Sequence, residues 1–99
     1  MVQAGVYAAV LHYLKAIEQA KTDDGKTVVK MMKEIPSEDP LFGEGKVRPD
    51  GRHIHPMYLF EVKKPSESKG PYDYFKLVST IPAEEAFRPM GEGGCYLVQ

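Results

Sequence analysis

His53 and His55 stand two residues apart in a stretch of strand-like period, so their imidazoles share one face and could reach one metal ion. A zinc site needs at least one further ligand and typically two. Glu61 shares that face but lies about 20 Å farther along an extended chain. Cys95 stands in the tail, with no second thiol in the sequence. The ligand count therefore favours a polar strand face over a metal centre, and no cofactor is implied. Cys95 paired with a histidine would be a nucleophile, yet Gly93-Gly94-Cys95 does not open a helix after a strand. No base stands at a defined spacing from it either, so it reads as an incidental or buried thiol.

The remaining constellations are weaker. Gly43-Glu44-Gly45-Lys46 precedes a strand, and Gly91-Glu92-Gly93-Gly94 has no helix after it. A phosphate loop needs a helix N-terminus at that point, so both read as turns. Lys63, Lys64 and Lys69 mix with Tyr72, Tyr74 and Phe75, a composition that can stack single strands. Glu61, Glu67 and Asp73 interleave with them, and a solvated hairpin loop over core aromatics fits better. Adjacent Glu84 and Glu85 diverge on a turn and do not face each other as paired acid and base groups do. No catalytic set emerges, and the chain is not expected to be an enzyme.

These residues sit on elements of two periods. Val6, Val10, Leu14 and Ile17, widened by Tyr7 and Leu11, make an apolar stripe, and five alanines favour helix over 3–21. Asp23 or Asp24 caps a second helix, which carries Val28, Met31, Met32 and Ile35 on one face and stops before Pro36. Residues 3–35 thus form a helix pair, followed by a loop over 36–45. Period two takes over at 46–81: a short strand over 46–48, a Pro49-Asp50-Gly51 turn, a strand over 53–63 and another over 72–81. Pro56 makes the middle strand an edge or a bulge. Phe75, Leu77 and Ile81 are expected on one face of the last strand, and 82–99 is an irregular tail. Helices segregate from strands, which predicts an α+β chain of two helices and about three strands in a single unit.

Length and composition agree. The sequence has 99 residues, 42% hydrophobic and 27% charged, with a net charge of −1. That excludes a disordered tail and offers no bulk charge to nucleic acid. One cysteine excludes a disulfide-framed mini-protein. No apolar run reaches the roughly 20 residues of a membrane-spanning helix. The start has no basic leader and no separate apolar block, so no signal peptide is read there.

Taken in order, several segments carry a resemblance. Gln3-Ala4-Gly5-Val6-Tyr7-Ala8-Ala9-Val10-Leu11, the Asp-Asp turn and the second helix resemble the late helix pair of periplasmic solute-binding proteins of ABC importers, branched-chain amino acid type. Gly45-Lys46-Val47-Arg48-Pro49-Asp50-Gly51-Arg52 is similar to a glycine, strand and Asp-Gly turn of that family, and Met57-Tyr58-Leu59-Phe60-Glu61-Val62-Lys63 to the strand that follows. The 63–71 run and Ala86-Phe87-Arg88-Pro89 resemble a proteobacterial subgroup. The resemblance implies part of a two-lobed α/β receptor of the type I periplasmic-binding-protein fold. It implies a small-molecule solute (an amino acid or related small amide), an ABC permease as partner, and a periplasmic location for intact relatives. This stretch would be the C-terminal quarter, not a competent binder alone. The pocket edge would fall at Val2 and Gln3, with Tyr7 a further ligand-binding candidate that also fits the buried stripe.

A helix stripe built to cover a missing sheet leaves two outcomes. Either the strands fold over it, or exposed apolar helix or strand surface pairs two chains as a homodimer. A self-standing α+β interaction module, offering its hairpin strands to a partner, is the alternative reading.

Overall fold

A computed structural model describes residues 2–98. Two helices open the chain: α1 (Val2–Ala20) and α2 (Gly25–Glu34). Asp24 caps α2, its carboxylate accepting from the Thr27 backbone N–H at 3.0 Å and the Thr27 hydroxyl at 2.7 Å. Those bonds hold the Asp24 carboxyl below its ordinary pKa, the Thr27 hydroxyl being the larger cause. Ile35 is extended ahead of Pro36, which ends α2. The α+β class holds: helices come first and antiparallel strands follow.

The helices meet through small residues, not through the bulky stripe. Ala8, His12 and Ala16 are buried at i, i+4 spacing, with Ala4 and Ala20 half-buried on the same line. Alanine lets α2 approach closely, and Val28 of α2 is fully buried there. The expected core stripe of Val6, Val10 and Leu14 therefore lies on the opposite face, exposed, and Tyr7 with it. Only Leu11 and Ile17 are half-buried. Among the described residues nothing layers over that outer stripe, so α1 is apolar on two sides. A helix with that pattern normally lies between two layers.

The expected loop over 36–45 contains two strands. β1 (Ser37–Asp39) and β2 (Gly43–Val47) form a tight antiparallel hairpin, with Glu38 opposite Glu44. Asp39 turns it, accepting from the backbone N–H groups of Leu41 at 2.8 Å and Phe42 at 2.9 Å. β3 (His53–Ile54) pairs with the end of β2. The Arg48 guanidinium closes on both oxygens of Asp50 at 3.2 and 2.7 Å and donates to the Arg88 carbonyl at 3.1 Å. That clamp lowers the Asp50 pKa and ties the turn to the tail. Lys15 and Lys33 fasten the helices by donating to the carbonyls of Glu38 and Pro49, each at 2.8 Å.

The single strand expected over 53–63 is two strands in two sheets. Pro56 has no N–H for a ladder, and His55 bonds the Pro56 carbonyl at 2.8 Å. Pairing stops there, and β4 (Met57–Val62) leaves to pair with β5 (Phe75–Ile81) as a separate two-stranded ribbon. Val78 has no cross-strand partner, since Leu59 faces Ser79 and Phe60 faces Leu77. This bulge shifts the side-chain parity. Phe75 and Leu77 share a face with Tyr58, Phe60 and Val62, while Ile81 moves to the other face, opposite Met57. The tail holds a short helix, α3 (Ala83–Ala86), and 3-10 turns at Met90–Glu92 and Tyr96–Val98.

Candidate functional site

The first turn of α1 is held open. Val2 and Gln3 are exposed, and Tyr7 is 49% exposed. Their neighbour Gly5 lines a cavity of about 370 Å³, together with Ala8, Ala9 and His12 of α1. Met32, Phe42, His53 and His55 complete much of its wall. Val2, Gln3 and Tyr7 do not line it. The small side chains of the α1 stripe make the space, and the aromatic and imidazole rings from the strand side bound it.

Three histidines converge on that wall. The His12 and His53 rings are stacked with centroids 6.4 Å apart, and His53 and His55 lie at 5.1 Å. Phe42 packs on His55 at 4.2 Å and Phe87 meets its edge at 5.4 Å. His53 and His55 were legible as a pair from their spacing. His12 was missed, although its place in the Ala8–His12–Ala16 line marks it as inward-facing. Among the described residues, no group of three or more His, Cys, Asp or Glu is arranged to hold a metal ion. Glu61 lies on the separate ribbon, and Cys95 lies in the tail.

His12 has a defined structural task. It is 5% exposed, and its Nε2 donates to the Met32 carbonyl at 2.8 Å. That carbonyl would ordinarily accept from the N–H of residue 36, but residue 36 is Pro and has none. The α1 imidazole supplies the missing donor. Its Nδ1 is left buried without a partner, as is Asp39 Oδ2.

Ser37 and His53 resemble a nucleophile and base, with Ser37 Oγ 2.5 Å from His53 Nε2. Ser37 is 2% exposed, however, so a substrate does not reach its hydroxyl. The Asp39 Oδ1 is committed to the Leu41 and Phe42 backbone. The pair therefore locks β1 to β3 and does not form a triad.

Burial lowers the His53 pKa, the neighbouring His55 and His12 add to this, and Asp39 opposes it. A base with a depressed folded-state pKa gives stability that is complete above the unfolded value of about 6.5 and is lost as pH falls below it. We expect the urea midpoint to drop between about pH 7.5 and about pH 5.5, above the range where Asp and Glu titrate. His53→Gln should flatten that part of the profile. An unchanged slope in the variant would show that His53 is not its source.

Residues 1–71 match the family described as periplasmic binding protein. A periplasmic binding protein from Burkholderia mallei is 46% identical, with a TM-score of 0.86, over 94% of this chain and 24% of its own. A branched chain amino acid ABC transporter periplasmic ligand-binding protein from Burkholderia xenovorans is 40% identical, with a TM-score of 0.90, over 98% and 26%. The chain thus spans about a quarter of the length of these structures. No curated protein matches it.

Proposed function

The chain belongs to the periplasmic binding protein family, and from that premise we propose that it is the C-terminal part of an ABC importer's solute-binding receptor for amino acids or related small amides. The observation that carries this reading is 40% identity at a TM-score of 0.90, over 98% of this chain, to a quarter of a branched chain amino acid ABC transporter periplasmic ligand-binding protein. On this reading the chain is a binding-protein piece, not an enzyme. The intact receptor works in the periplasm and hands its solute to a permease.

Val2 and Gln3, with Tyr7 beside them, form one rim of the pocket in this proposal. Their exposure at the start of α1 supports it, because a pocket rim must meet what lies across the cleft. Most of the pocket would come from the part of the receptor that these 99 residues do not include. The 99-residue chain should therefore give no heat when titrated with leucine in a calorimeter. Micromolar binding would overturn its status as an incomplete receptor. A coding sequence that carries the matching remainder of the receptor upstream would support the reading, and its absence would count against it.

A further inference from the structure

The Pro49-Asp50-Gly51 turn and the tail bound a further cavity, of about 190 Å³. Arg48, Arg52 and Arg88 all line it, and Asp50 is the one acid in its wall. Three arginines and one aspartate give that wall a formal charge of +2, in a chain whose net charge is −1. A wider space of about 520 Å³ shares Asp50, Arg52, Phe87, Arg88 and Gly93 with it. Val2, Gln3 and Tyr7 line neither.

The hydrogen bonds decide which of these charges are available to a ligand. Asp50 is committed within the turn. Its Oδ1 accepts from Arg48 Nε and from the Arg52 backbone N–H, each at 3.2 Å, and its Oδ2 accepts from Arg48 Nη2 at 2.7 Å. Arg48 spends a third donor on the Arg88 carbonyl, so it is a strut that Asp50 neutralises. Arg52 acts on Asp50 through space, yet neither Arg52 nor Arg88 forms an ion pair with a carboxylate among the described residues. Both are exposed. The Arg52 guanidinium carbon lies 5.8 Å from the Phe87 ring centroid, a contact that orients the group without using an N–H. Arg88 follows Phe87 and comes back beside Gly93, its Nη2 3.6 Å from the place of a Cβ there.

Two guanidinium groups uncommitted to any carboxylate suit a ligand with two negative charges and several acceptor oxygens, because each fork can bond two oxygens at once. Surplus positive charge on a concave wall also concentrates the potential felt by an anion. We propose that this cavity binds a small dianion, a phosphate or a dicarboxylate, between Arg52 and Arg88. This goes beyond the receptor reading and stands apart from the rim at the start of α1, so leucine calorimetry and anion binding fail or succeed independently.

Backbone amide NMR of the 99-residue chain tests this, with sodium phosphate replacing sodium chloride at a constant ionic strength of about 0.1 M, so that general screening does not change. At about pH 8 a phosphate group carries close to two charges. Saturable shifts are expected at Arg52, Phe87, Arg88 and Gly93. Arg52→Gln and, separately, Arg88→Gln should each weaken binding by about tenfold or more, the scale of one lost charge-assisted contact. Arg52→Lys should restore part of the loss by returning the charge without the fork. Lys26→Gln, on α2, should leave binding unchanged. Malonate in place of phosphate separates the two ligand sources: the tighter binder names the class, and either one binding supports the site. Shifts that never saturate with either anion overturn the proposal. So does saturable binding that survives both Arg substitutions, or that acetate matches in strength.

Discussion

Gly45→Ala should destabilise the fold by about 3 kcal/mol or more, the upper range for forcing atoms into packed space. Gly45 sits in the middle of β2, between β1 and β3. An added Cβ would lie 2.5 Å from the Ile54 carbonyl oxygen and 2.9 Å from both His53 Nε2 and Ser37 Oγ. The nearest of these is backbone of a paired strand, so no side-chain rotation relieves it. Relief would require separating β3 from β2 and breaking the Ser37–His53 bond. Gly51→Ala is the control. It has a φ of 84° with open space around the new methyl, so only the left-handed conformation penalises it, by about 1–2 kcal/mol. Urea unfolding at one protein concentration compares them. Equal losses at the two positions would refute the close approach at Gly45.

His12→Ala should remove about 2–4 kcal/mol, because it opens a cavity and strands a carbonyl together. The Met32 carbonyl would then lose its donor in a place where Pro36 cannot replace it. His12→Gln, which keeps an N–H near the same position, should lose clearly less. The same urea series measures both, and equal losses would assign the effect to packing alone. Amide exchange gives a second readout: the His12→Ala loss should loosen the last turn of α2 before the first turn.

Both large effects fall at places where the local sequence pattern points to a different structure. Gly43-Glu44-Gly45-Lys46 reads as a turn by composition, since glycine is rare inside strands. It is a strand because the absence of a Cβ lets Ser37, His53 and the β3 backbone crowd the same spot. His12 looks like an isolated polar residue on a helix. Its value appears only when α1 lies against the proline-terminated end of α2. The ends of the helices, by contrast, were legible: Asp24 caps through its own carboxylate, and Pro36 acts on its immediate neighbour. Such signals are local, so the sequence holds them complete.

The family was also legible, because an ordered set of segments across the chain survives in the text of the sequence. The candidate site was legible only in part. His53 and His55 announce themselves by spacing, whereas His12 comes from a distant helix, and Ser37 from a segment that reads as loop. The sequence by itself determined the two helices, their caps, the apolar character of the strands and the kinship. The tertiary structure decided which of the two apolar faces of α1 is buried. It also decided that Pro56 divides one strand between two sheets, and that a bulge at Val78 gathers the aromatics of the ribbon on one side. The physical reason is common to all three. Periodicity records which residues are apolar and on which side they stand, but burial depends on the layer that arrives opposite. For the outer stripe of α1 and the ribbon face, no such layer is found among the described residues.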